Sequence, residues 1–199
     1  MKSNVCIIDK GTGDLDAILR ESEKVAEYND LTHKQTLQLR LICEEIDGML
    51  PHMIGDFGGK FWIEFVDGVC KVCVSIQIPE FNAGKKDELI GVSKSRKNAA
   101  AVGIVGKIRN AIEDFFLNED TLMGLDASAE TSYLATGYSE GVDYSYLWSL
   151  EQYRIMVNRE EQGEQWDELE KSVIASVADD VIVGVKGKQA DIVIVKKFG

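Results

Sequence analysis

The chain has 199 residues, 45% of them hydrophobic, and only two prolines, so it is long enough to bury one sizeable core and too apolar to read as a disordered chain. Its formal charge of −12 argues against a nucleic-acid role, which needs a basic surface for counterion release. Proteins or small molecules are the partners such an acidic chain is expected to meet.

From the start, Val5-Cys6-Ile7-Ile8 is an apolar run of four followed at once by Asp9 and Lys10, too short for the apolar core of a secretory signal. No later segment approaches the roughly 18 apolar residues of a membrane span, so no membrane role is expected. The four cysteines are therefore expected as free thiols in a reducing cytoplasm. Gly11-Thr12-Gly13 lacks a long preceding strand and a following G-K-S/T, and reads as a turn rather than a phosphate loop.

Asp14 is placed to cap a first helix with Leu15, Ile18, Leu19, Ser22, Val25 and Ala26 in one stripe, ending near Tyr28 before Asn29-Asp30. Thr32 and Gln35 form a capping box for a second helix, whose Leu37, Leu41, Ile42, Ile46 and Met49 continue a core stripe until Pro51 ends or kinks it. FWIEFV and VCKVCVSIQI then flank Asp67-Gly68, a hairpin signal of the type I′ kind. Phe61, Ile63 and Phe65 alternate with Trp62, Glu64 and Val66, so one face of that hairpin should be core. Cys70 and Cys73 have the C-x-x-C spacing, but an offset of three along a strand puts them on opposite faces and argues against zinc.

Lys85, Lys86, Lys94, Arg96 and Lys97 make the one basic cluster, read as a solvated loop and helix start. A third helix is predicted from about Lys94 to Phe116, with Val102, Val105, Ile108, Ile112 and Phe115 at helical spacing, packed on the hairpin. Residues 118–143 are small, polar and glycine-bearing, and are the stretch where disorder is expected. A helical pattern resumes from Tyr144 to about Arg159. The tyrosines at 133, 138, 144 and 146, with Trp148, read as aromatic contacts to the core, with a partner-binding surface as the alternative. Trp166 to Ala178 reads as a last helix, and VIVGV and DIVIV as antiparallel strands about Lys186-Gly187-Lys188. The elements add up to one α/β domain of two layers: a mixed, mostly antiparallel sheet covered on one face by helices.

The segment Leu39 to His52, LRLICEEIDGMLPH, carries the most chemical information. Glu44, Gly48 and His52 stand four apart and share one helix face. Within the run LDAILRESEKVAEYNDLTHKQTLQLRLICEEIDGMLPH, which looks like a pair of helices, and with SVIASVADDVIVGVKGKQADIVIVKKF at the C-terminal end, this frame resembles the histidine-kinase-like ATPase (GHKL) superfamily, most closely its small anti-sigma-factor serine kinases. The resemblance covers both ends of the chain, and about 85–165 reads as an insertion without a counterpart.

The family helix has the form E-x-x-x-N-x-x-x-H, in which the asparagine oxygen binds Mg²⁺ and the glutamate is the general base. The resemblance puts Glu44 in the place of that base and Gly48 in the place of the asparagine, where it supplies no oxygen. Asp47 is rotated roughly 100° around the helix from that position. The family's D-x-G-x-G loop corresponds to Glu80-Phe81-Asn82-Ala83-Gly84, which places Glu80 at the adenine-reading carboxylate and Asn82 and Gly84 at the glycines. The glycine-rich helix entry corresponds to Glu168-Leu169-Glu170-Lys171, whose two carboxylates would repel a triphosphate where backbone N–H groups should receive it.

The resemblance therefore implies a catalytic candidate, Glu44, and nucleotide-binding candidates Glu80, Asn82, Gly84, Asp47 and Gly48, with no resident metal site. The expected function is that of a degenerate ATP-binding-domain-like regulator acting by protein–protein interaction, with a sigma factor, an antagonist or a second copy of itself as partner. No cofactor is expected on this reading. The alternative is an active ATP-dependent serine/threonine kinase with Mg²⁺, using Glu44, Asp47 and Glu80. A third class, a small-molecule pocket under the insertion, would lie near Phe81 and Trp148.

Overall fold

Two hairpins form the middle of the sheet, each closed by a residue type its turn demands. β2 (Gly58–Val66) and β3 (Val69–Gln77) meet at Asp67 (φ 49°) and Gly68 (φ 77°), the two positive values of a type I′ turn. β5 (Asp180–Lys186) and β6 (Gln189–Lys197) turn through Gly187 at φ 57°. A computed structural model describes residues 1–9, 15–53, 57–77, 103–117, 146–160 and 172–199. Among these, two further strands flank the hairpins, β1 (Cys6–Asp9) beside β2 and β4 (Tyr146–Ser149) beside β5.

The strand order is β1-β2-β3-β6-β5-β4, and every pairing is antiparallel, so the expectation of a mixed sheet is corrected among the described residues. Phe61 and Ile63 of β2, Val72 and Val74 of β3, Ile192 and Ile194 of β6, and Val181 and Val183 of β5 line one face. They form a single core cluster with the helices, a two-layer α/β arrangement.

α1 (Leu15–Tyr28) buries Ile18, Leu19, Ser22, Val25 and Ala26, the stripe its spacing predicts. Its end is a Schellman motif: the Leu31 N–H donates to the Ala26 carbonyl at 3.0 Å, and that of Asp30 to Glu27 at 3.2 Å. Asp30 takes the left-handed position at φ 51°, where an L side chain is strained. Asp30→Gly is expected to raise unfolding stability by roughly 0.5–1 kcal/mol, read as a higher urea midpoint at unchanged slope.

α2 (His33–Met53) starts on the predicted capping box, with the Thr32 N–H donating to Gln35 Oε1 at 2.8 Å and the Gln35 N–H to Thr32 Oγ1 at 3.4 Å. The buried stripe is Leu39, Ile42, Cys43, Ile46, Met49 and Leu50. Leu37, expected in it, is 51% exposed, because two residues before Leu39 is 200° around the helix. Pro51 sits in the last turn, and the helix closes two residues beyond it.

α3 (Gly103–Leu117) buries Ile104, Ile108, Ala111 and Ile112; residues 94–102 of the predicted helix lie outside the described residues. It packs chiefly on α2, β5 and β4 rather than on the hairpin, because α1 already lies against β2. The helix predicted from Tyr144 is also corrected: Tyr146–Ser149 is strand β4, and α4 (Leu150–Glu160) begins immediately after it. Short runs of aromatic and aliphatic residues satisfy either period, and pairing with β5 decides this one. Trp148 and Tyr153 pack together against the core, their rings 6.2 Å apart, while the predicted contacts of Tyr133, Tyr138 and Tyr144 lie outside the described residues.

α5 (Val173–Val177) is capped by Ser172, which is extended (φ −79°, ψ 127°) and whose side chain accepts from the Ala175 N–H. The helix predicted from Trp166 to Ala178 is therefore interrupted at Ser172, with residues 166–171 outside the described set. Arg154 of α4 donates to the carbonyls of Asp179, at 3.2 Å, and Ala175, and ties the end of α5 to α4. No helix among the described residues is long and apolar enough to cross a membrane.

Candidate functional site

Glu44, Asp47 and Gly48 lie in the second half of α2, the segment that leads to β2. Gly58, which opens β2, pairs with Gln77, the last residue of β3, so the C-terminal end of α2 and the exit of β3 belong to the same end of the sheet. α5 packs beside α2. The end of α2 and the end of the strand preceding Glu80 thus share one end of the sheet, whereas α5 leads into Asp180, which lies across Val195 from Lys71 near the other end of β3. Glu80, Asn82 and Gly84, with Phe81 and Glu168 to Lys171, lie outside the described residues, as do the five basic residues from Lys85 to Lys97. His52 is on the last turn of α2.

Glu44 does not stand alone on its face. Arg40, one turn earlier, donates through Nε to Glu44 Oε1 at 3.0 Å and through a terminal nitrogen to Glu23 Oε1 of α1 at 2.9 Å. One guanidinium thus bridges two helices and draws the Glu44 carboxylate back along α2. Exposed pairs of this kind contribute little to stability, about 0–1 kcal/mol, but they fix where the side chain spends its time. A general base tied to an arginine is poorly placed to take a proton from a hydroxyl.

Gly48 is exposed, and a Cβ built there would meet no atom within 4 Å among the described residues. It neither relieves a clash nor supplies a backbone conformation denied to other residues. In a helix interior it costs about 1 kcal/mol relative to alanine, and it leaves this face of α2 without a side chain.

Asp47 is half-buried, and no hydrogen bond or ion pair holds its carboxylate among the described residues. Burial pushes its pKa above the ordinary value of 3.8. Because the folded value is the higher one, the folded state holds the proton more tightly, and Asp47 weakens stability progressively as pH rises from 3.8 through that raised value. Asp47→Asn is therefore expected to raise the thermal midpoint at pH 7, with the gain shrinking as pH falls towards 4, which a pH series of melting curves checks.

The cysteines bring no chemistry to this end of the fold. Cys70 and Cys73 occupy opposite faces of β3, Cys70 in the core cluster and Cys73 paired across from Trp62 and Val193. Burial pushes each of these thiols up to about 12, and Cys43 further still, so all three are protonated at neutral pH. No group of three or more His, Cys, Asp or Glu among the described residues is arranged to hold a metal ion.

Two carboxylates outside the candidate set are built into the structure more firmly than the candidates. Glu21 of α1 is 7% exposed and accepts from the Asn4 backbone N–H (3.0 Å), Asn4 Nδ2 (3.1 Å) and Lys24 Nζ (2.6 Å). Burial alone would raise its pKa, but these donors outweigh it and hold the carboxyl below its ordinary value. Asp180 accepts at Oδ1 from the backbone N–H groups of Val181 (2.8 Å) and Glu151 (3.0 Å), and from Ser149 Oγ at 3.2 Å. Ser149 Oγ in turn accepts from the Gln152 N–H at 3.3 Å, so the pair caps α4. The adjacent Asp179-Asp180 in the sequence was the available signal. Both are architectural groups, joining the N-terminal segment to α1 and α4 to the sheet. Compared with known proteins, the chain matches no family model, no curated protein and no solved structure.

Proposed function

We propose that this chain is a regulatory protein that acts by binding another protein, on a histidine-kinase-like ATP-binding scaffold whose nucleotide site has lost its chemistry. The observation that supports this reading is the exposed face of α2. Gly48 leaves open space where the resembling family carries its Mg²⁺-binding asparagine, and Glu44, in the place of the general base, is paired with Arg40. An antiparallel sheet that opens with β1-α1-α2-β2-β3 and closes on the β5–β6 hairpin is compatible with that scaffold. By resemblance, the partner is a sigma factor or a sigma-factor antagonist.

Thermal unfolding with and without ATP and Mg²⁺ tests the loss of nucleotide binding. A ligand at 100 times its Kd adds about 2.7 kcal/mol, which for a chain of this size raises the midpoint by roughly 5–10 °C. The wild-type chain is expected to show no such rise. A Mg²⁺-dependent rise abolished by Glu80→Ala overturns the reading in favour of the active kinase.

A further inference from the structure

We draw no further inference here: the strongest candidate, the apolar row of Trp62, Cys73, Val193 and Ile182 that the strand register lines up on the sheet face opposite the helical core, carries none because nothing among the described residues shows what covers it.

Discussion

Asp180→Ala is expected to lower the free energy of unfolding by about 2–4 kcal/mol, which for a chain of this length moves the thermal midpoint down by roughly 10 °C. The Asp180 carboxylate is 5% exposed and supplies the acceptor for two backbone N–H groups, Val181 at the start of β5 and Glu151 in the first turn of α4. Alanine leaves both donors without a partner in a place water reaches poorly, and each orphaned donor costs about 1–2 kcal/mol. It also frees Ser149 from the group that orients it, loosening the cap of α4. Asp180→Asn separates geometry from charge, because both backbone donors converge on one oxygen that an amide can reproduce. The asparagine variant should therefore recover at least half of the loss in a urea titration. Equal losses in the two variants would show that the negative charge, and not the acceptor, holds the junction.

The second large effect belongs to Gly59, which lies in β2 between Ile8 of β1 and Ile76 of β3. A Cβ at this position would sit 2.5 Å from the Ser75 carbonyl oxygen and 2.8 Å from Ile76 Cγ2. The carbonyl is part of the neighbouring strand and cannot swing away as a flexible side chain would. Gly59→Ala is expected to cost about 2–3 kcal/mol, through displacement of β3 against β2. Gly58 provides the control, since a Cβ there meets nothing within 4 Å, and Gly58→Ala should change the urea midpoint by less than about 0.5 kcal/mol in equivalent stability. A large loss at one of two adjacent glycines and almost none at the other would localise the constraint to space rather than to backbone freedom.

Those two sites also show where sequence reading succeeds and where it stops. The Asp67-Gly68 hairpin, the Thr32/Gln35 capping box and the alternating Phe61, Ile63 and Phe65 were legible because their signals are local: a turn, a cap and a period, each contained within a few residues. β1 and β4 were not, because four-residue strands carry too little periodicity to be told from a loop or a helix start, and their partners are distant in the chain. The packing of α3 was misjudged for the same reason, since its neighbours β5 and β4 follow it in the chain and are chosen by sheet order. At the candidate site, the positions of Glu44 and Gly48 on one helix face followed from their spacing. The diversion of Glu44 to Arg40 is an i, i+4 pair that the sequence displayed and the family comparison overshadowed. Asp180 was visible as half of an acidic doublet, but its role depends on α4 starting one residue after β4, which only the folded chain reveals.

The order in which the strands are joined also bears on how this chain reaches its native state. The two hairpins can each close early, from neighbouring residues, yet the seam between them pairs β3 with β6, and Gln77 meets Gln189 across 112 positions. Closing so long a loop comes late and slowly, since the entropy is lost before the central contacts can compensate. During synthesis β3 therefore waits with one side bare until the ribosome has delivered β6, a window in which that edge is open to pairing with the wrong strand.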